Sequence, residues 1–346
     1  MLDRRKGKRQ RTERFSVTSE YALDALFERF YHAKVAEGRK NKTLKSYKEN
    51  YGFFVEYMDL RGLGRDVRNV DTEMIRGYIV WMLKEKVRFE GHKFKSEAEQ
   101  TVGLTPTTVN TRLKTMRTFF KYLTIESYIS FNPFETIKKV EEDENEIKIM
   151  SVEQLQALLA IPNQRRYSGF RDYVIMHVLI DGFFRINEAL SLKTTDIDFE
   201  IGMITIRAEQ SKNRKSRAVP ISRHTLRLLK DIIKDNEDFD TDYVFLANYG
   251  EPLRDGQFRH RLKKYAKQAS IPIRVHPHLF RHTAATMFLE KGGDLRHLQM
   301  ILGHSDLRMV TRYTHLSKTS IKNQHEKYSP LNEVIGKLNK ERKILR

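Results

Sequence analysis

The stretch His276 to Leu316, HPHLFRHTAATMFLEKGGDLRHLQMILGHSDLRMVTRYTHL, constrains this chain more than any other. Behind Asp294, the apolar residues Leu295, Leu298, Ile301 and Leu302 fall at helical intervals. Gly303 stands where a helix C-terminus takes a left-handed residue. Ser305 and Asp306 can cap a next helix that carries Met309, Val310 and Tyr313. Pro277 marks the start of an earlier helix, with His278 and Arg281 at its opening, where free N–H groups and a positive dipole end suit a phosphate. His304 is thereby placed in a tight corner between two helices. Arginine, histidine and one phenol in this arrangement suit attack by a tyrosine on a phosphodiester.

The partner follows from charge. A net charge of +19 over 346 residues makes a polyanion the natural partner, with nucleic acid first and an anionic membrane surface as the competitor. No stretch approaches the roughly 20 consecutive apolar residues of a membrane span, and no signal peptide is visible. A cytoplasmic protein is expected. The absence of cysteine excludes disulfides, thiolate zinc sites and thiol nucleophiles. Hydrophobic residues make up 39% of the chain, enough for a core, and the length allows two domains.

Residues 1–18 read as a basic arm, either a disordered tail or a segment that orders on DNA phosphates. Four amphipathic helical faces follow within 19–134: Leu23, Leu26, Phe27, Phe30 and Tyr31; Leu44, Tyr47, Tyr51, Phe54, Val55 and Met58; Ile75, Tyr78, Ile79 and Met82; Val109, Leu113, Met116, Phe119, Phe120 and Leu123. These aromatics are expected in the core. The opposite faces carry Lys42, Lys45, Arg112, Arg117 and Lys121, which are expected on DNA phosphates. Residues 86–104 break the pattern and read as an exposed loop. The acidic run within 135–150 reads as an interdomain linker that stays off DNA. Ser151 and Gln154 form a capping-box pattern at the start of a second domain, 151–316. There, Tyr173 to Leu192 is a helical run interrupted near Asp181 and Gly182. Met203 to Arg207 and Arg217 to Ile221 are the arms of a β-hairpin, joined by a basic turn with Arg214 and Lys215, which together with Arg217 are expected on DNA phosphates. The tail 317–346 has Leu331, Val334 and Ile335 at helical spacing.

Three of these motifs carry a resemblance. The H-x-x-R-H run His278–His282, the L-G-H-S of Leu302–Ser305 and the R-Y-T-H of Arg312–His315 are similar to the C-terminal signature of the tyrosine recombinase (phage integrase) family, of Xer or transposon-integrase type. The intervals agree: His304 follows Arg281 by 23 residues, and Tyr313 follows His304 by 9. Upstream, Arg185 and Glu188 match the family's R-x-x-E pattern, although Phe183 stands where the family has a glycine. Lys212 matches the lysine of the hairpin turn, with Lys215 as its rival and Arg217 at a later basic position, while Ser211 and Asn213 replace the flanking glycines.

The resemblance implies a mainly α fold with a small β-hairpin or sheet: a helical, SAM-like core-binding domain and a mixed α/β catalytic domain, closing as a C-shaped clamp on DNA. It implies catalysis by Arg185, Lys212, His278, Arg281, His304 and Tyr313, with Glu188 and His282 in supporting places. A 3′-phosphotyrosine forms, a 5′-hydroxyl leaves, and a second 5′-hydroxyl resolves the intermediate. It implies a tetramer on synapsed double-stranded DNA, acting through a Holliday junction, and a monomer or weak oligomer when free. A directionality factor is a possible accessory partner, and the tail 317–346 is a candidate for docking on a neighbouring subunit. No cofactor and no metal are expected, although His276, His278 and His282 admit a metal reading. The expected role is recombination for a mobile element. A type IB topoisomerase that nicks and reseals without synapsis, and an inactive DNA-binding regulator of the same fold, are the alternatives.

Overall fold

The computed structural model describes residues 20–90, 100–142, 148–211, 215–303, 307–311, 313, 322 and 325–335. The chain divides into two compact units, Met1–Asn145 and Glu146–Arg346.

The first unit is helical: α1 (Leu23–Ala36), α2 (Asn41–Leu60), α3 (Thr72–Lys84) and α4 (Pro106–Ile125). Side-chain caps start two of them. Asp71 accepts from the Met74 N–H, and Thr105 accepts from the Thr108 N–H just ahead of Pro106. The first three helices all pack on α4. Its apolar stripe, Val109, Leu113, Met116, Phe119, Phe120 and Leu123, is fully buried. The Phe119 ring lies 5.4 Å from Phe27, 5.3 Å from Phe30 and 5.3 Å from Phe120, centroid to centroid. Phe27, Phe30, Tyr51, Phe54, Tyr78, Phe119 and Phe120 are therefore core, as their spacing predicts, and Tyr47 packs against them half-buried. Tyr31 lies outside this cluster, with Lys48 Nζ 4.0 Å from its ring centroid.

Two expected DNA contacts in this unit point inward instead. Arg112 is buried, with its guanidinium 3.4 Å from the centroid of the Phe53 ring. Arg117 donates to the Ile137 carbonyl at 2.6 Å. Asn110 exchanges hydrogen bonds with the backbone of Val140 in both directions, and Phe134 and Ile137 are buried in the same core. The stretch from 135 to 142 therefore packs on α4 rather than running free, because a carbonyl or N–H leaving the core must still be satisfied. The end of the acidic run, 143–147, lies outside the described residues. The expected loop at 86–104 is tied at its base: Val87 pairs with Val102, and the Gly103 N–H donates to the Lys86 carbonyl at 2.9 Å. Residues 91–99 lie outside the described residues.

The second unit begins with the capping box of Ser151 and Gln154 ahead of α5 (Val152–Ala160). It continues through α6 (Tyr167–Asp181), α7 (Ile186–Leu190), β1 (Ile197–Asp198), β2 (Met203–Ile206) and β3 (Arg217–Pro220). The rest is helical: α8 (Arg223–Lys234), α9 (Asp255–Gln268), α10 (Pro277–Glu290), α11 (Leu295–Leu302) and α12 (Arg308–Thr311), with a terminal helix at Leu331–Ile335. The three strands form an antiparallel sheet in the order β1-β2-β3, with Ile204 opposite both Ile197 and Val219. Ile204, Ile206 and Val219 enter the core, so the alternation in the sequence reports the buried face correctly. Strand β1 went unpredicted because two residues carry no alternation. Helix α6 packs between α8 and α10. The mainly helical fold with a small sheet is thus as expected. No helix among the described residues is long and apolar enough to cross a membrane.

Trp81, the single tryptophan of the sequence, is buried in the first unit, so its fluorescence reports that unit alone. Phe119→Ala is expected to destabilise the transition seen by Trp81 in urea by about 3–5 kcal/mol. A loss below about 1 kcal/mol would show that Phe119 is not central to this core.

Candidate active site

The site is assembled around one carboxylate. Helix α6 ends at Asp181, and Gly182, Phe183 and Phe184 turn the chain into α7, for which Arg185 is the residue before the first turn. Glu188, one turn along, is 1% exposed. It accepts from the Arg185 N–H at 3.0 Å and from the Arg185 guanidinium at 2.7 Å. It also accepts from two nitrogens of Arg217, at 3.2 and 2.7 Å. Burial pushes this carboxyl up, but the hydrogen bonds and charge of Arg217, followed by the Arg185 N–H and guanidinium, outweigh it. Glu188 is held below the usual carboxylate range.

Arg217 was expected on DNA, and the structure places it elsewhere. Its side chain is 9% exposed. Besides Glu188, it donates through Nε to the Ile301 carbonyl at 2.9 Å, at the C-terminal end of α11. A cation there satisfies carbonyls that the helix itself leaves open. Gly303 follows with φ +63°, the left-handed residue its position predicts, and a Cβ at that position would lie 2.8 Å from Arg217 Cδ. Glycine is therefore required there twice, for the backbone angle and for the passage of Arg217.

Arg281, on α10, is 4% exposed and holds two turns at once. It donates to the Phe183 carbonyl at 2.6 Å and to the Leu302 carbonyl at 2.7 Å. Desolvation, and then the like charges of Arg185 and Arg217, draw its guanidinium down to about 9, so it keeps its proton at neutral pH. Three guanidiniums with one carboxylate between them leave a net positive charge in a dry place, an arrangement suited to a phosphate with developing charge. Phe183 takes φ +53°, a left-handed angle that costs a non-glycine residue about 1–2 kcal/mol.

Tyr313 lies just past α12, not within a helix as its spacing suggested. It is 4% exposed, packed in a cluster with Phe183, Ala284, Ala285, Leu289, Leu298, Leu302 and Val310. Its hydroxyl is 3.1 Å from His282 Nδ1. His276 caps α10 by accepting the Leu279 N–H on Nδ1, which gives it a structural task. His278 is exposed in the first turn of α10. Desolvation and the neighbouring His276, Arg259, Arg281 and Arg185 lower its pKa, so the neutral imidazole is favoured at pH 7.

The structure thus brings Arg185, Glu188, His278, Arg281, His282 and Tyr313 into one region. Lys212, Arg214 and His304 lie outside the described residues, as do Ser305 and Asp306, the expected caps. Lys215 is exposed next to β3, and Lys42, Lys45 and Lys121 are exposed on the first unit. The reading of the sequence passed over the exposed face of α9, with Arg259, Lys263 and Lys267 at successive i, i+4 positions. That spacing was available in the sequence. Arg259 also lowers the pKa of His276 and His278, so this basic stripe adjoins the arginine cluster. Glu188→Gln removes the charge between Arg185 and Arg217 and is expected to cost about 3 kcal/mol in urea unfolding, with little relief from added salt. A loss under about 1 kcal/mol would show that the buried pairs do not hold the site together.

Comparison with known proteins agrees with this geometry. The phage integrase family matches residues 148–320, and the phage integrase SAM-like domain matches residues 25–140. Tyrosine recombinase XerD of Listeria monocytogenes is 28% identical over 89% of this chain and 99% of its own length. Tyrosine recombinase XerC of Bacillus pumilus is 29% identical over 91% of this chain and 98% of its own. Among solved structures, the Tn1549 transposon integrase in complex with a circular intermediate DNA shares the fold with a TM-score of 0.70 at 19% identity, covering 89% of this chain and 99% of that one. With both compact units matched in order and the arginines gathered around Glu188, the chain belongs to the phage integrase family of tyrosine recombinases, site-specific enzymes that cleave and rejoin DNA.

Proposed function

We propose that Tyr313 is the nucleophile and that the chain cleaves DNA through a 3′-phosphotyrosine without a metal or nucleotide. The observation that carries this reading is the packing of Arg185 and Arg281 around Glu188 and the α11 terminus, with Tyr313 in the adjoining cluster. Arg185 and Arg281, with His304, bind the non-bridging oxygens and stabilise the charge of the pentavalent phosphate. His278, kept neutral by desolvation and then by its cationic neighbours, takes the phenol proton as the Tyr313 oxygen bonds to phosphorus. The bond from phosphorus to the 5′ oxygen breaks, and Lys212 protonates that oxygen. Rejoining reverses these transfers with a 5′-hydroxyl from another strand. The Tyr313 hydroxyl rests on His282, so attack exchanges that hydrogen bond for the phosphate. Glu188 and Arg217 act by holding the two catalytic arginines in place.

Double-stranded DNA at a specific site is the proposed partner. The exposed Lys42, Lys45, Lys121 and Lys215, with the α9 stripe, supply phosphate contacts. Exchange between two sites requires a tetramer on synapsed DNA and a Holliday junction, and the exposed Leu331 and Val334 of the terminal helix are candidates for docking between subunits. The fold shared with a transposon integrase supports a role for a mobile element. A second reading, resolution of chromosome dimers, takes its support from the XerC and XerD relatives.

Suicide substrates with a nick near the cleavage point, incubated in EDTA, trap the covalent step. A protein–DNA adduct on a denaturing gel is expected with the wild type and absent with Tyr313→Phe. An adduct in both would move the nucleophile elsewhere, and binding without an adduct in either would favour the inactive regulator. Substrates from element ends and from the chromosome separate the two biological roles. Adduct formation is expected to hold steady near neutral pH and to fall only on the acid side of the ordinary imidazole range, as His278 gains its proton. An acid limb at or above about pH 7 would argue against a neutral His278 as the base.

A further inference from the structure

Phe183 stands out because its backbone and its side chain serve different parts of the site. Its φ of +53° lies in the left-handed region, which glycine occupies without cost and phenylalanine does not. Gly182, one residue earlier, has an ordinary φ of −93°, so the turn has a glycine at hand and still puts the left-handed angle on the phenylalanine. At Gly182 a Cβ would lie 2.6 Å from the Phe184 ring, so that glycine is needed for close packing instead. The strain at 183 persists, and a surrounding structure that over-determines it is the usual reason.

The surroundings show what holds it. The Phe183 carbonyl accepts from Arg281 at 2.6 Å. The ring, 8% exposed, meets Phe288 edge-on at 5.9 Å between centroids, with an interplanar angle of 88°. It belongs to the buried cluster that contains Leu298, Leu302, Val310 and Tyr313. Leu302 in that cluster gives its own carbonyl to Arg281, at 2.7 Å. One residue therefore meets Arg281 through its backbone carbonyl, and through its ring belongs to the buried cluster that holds Tyr313.

We propose that Phe183 is a positioning residue: its ring sets the place of the Tyr313 segment relative to Arg281, and its left-handed turn is kept for that purpose. The proposal rests on the reading of Tyr313 as nucleophile. Glycine at 183 would free the backbone and remove the ring, so backbone comfort and tyrosine placement should part company in variants.

The test compares the wild type with Phe183→Gly, Phe183→Ala and Phe183→Leu on the nicked suicide substrate. Four quantities are read: melting temperature, DNA affinity by gel shift, the adduct-forming rate at saturating DNA, and that rate on DNA with a sulfur in place of the bridging 5′ oxygen. Both small variants are expected to form adduct about tenfold or more slowly while binding DNA within about twofold of the wild type. Phe183→Gly should melt at or above Phe183→Ala, because glycine accepts the left-handed angle. Phe183→Leu, which refills the cluster, should recover most of the rate. The sulfur leaving group, which needs no proton donor, should not rescue Phe183→Gly, since its defect lies on the side of the nucleophile. The proposal is overturned if Phe183→Gly forms adduct within about twofold of the wild type. It is equally overturned if sulfur restores the rate, or if the whole effect is in affinity. A wild type that forms no adduct overturns the nucleophile reading itself, and this inference with it.

Discussion

The catalytic unit depends on a carboxylate buried between two guanidiniums. Glu188 ties α7, through Arg185, to β3, through Arg217. Arg217 continues to the Ile301 carbonyl at the end of α11, and Arg281 joins the next carbonyl, Leu302, to the turn at Phe183. Four segments distant in sequence are thereby fixed by a handful of charge-assisted hydrogen bonds. A buried ion pair is poor evidence of net stability, because the desolvation of its charges offsets their attraction. Its value here is geometric. Arg185 and Arg281 cannot drift without exposing a buried charge.

The same bonds limit which residues this region can hold. Gly303 has to be left-handed and has to let Arg217 pass. Leu302 fills the tyrosine cluster with its side chain and receives Arg281 with its carbonyl. Burial, and then the charge left over from three arginines against one glutamate, depresses Arg281, and the same excess leaves the site short of negative charge. In the proposed mechanism a phosphodiester brings that charge, so binding and the stabilisation of the developing transition state draw on one electrostatic source.

Much of this was legible in the sequence, for reasons that can be named. Helix starts and stops are local, so Ser151 with Gln154, and Gly303, mark real termini. Apolar stripes report burial, and the fully buried face of α4 follows its spacing. Arginine is where the reading failed. Its long stem lets it lie on a surface or turn inward, and nothing in the residue type distinguishes the two. Arg112 stacks on Phe53, Arg117 holds the chain leaving α4, and Arg217 closes the active-site network, although each was expected on DNA. Lysines, whose charge is harder to desolvate, stayed where the sequence put them: Lys42, Lys45, Lys121 and Lys215 are exposed. The stripe on α9 was overlooked although Arg259, Lys263 and Lys267 share one face. The place of Tyr313 beyond the end of α12 and the left-handed Phe183 depend on tertiary packing, which local spacing does not encode.

The central claim is that the network around Glu188 presents Arg185 and Arg281 together to a single phosphate. A crystal structure of the Tyr313→Phe protein on its DNA site tests it most directly. The account predicts both guanidiniums within about 3 Å of non-bridging oxygens of the same phosphate, with Glu188 still bonded to Arg185 and Arg217. A phosphate held by surface lysines alone, with Arg281 still engaged only by the Phe183 and Leu302 carbonyls, would contradict it.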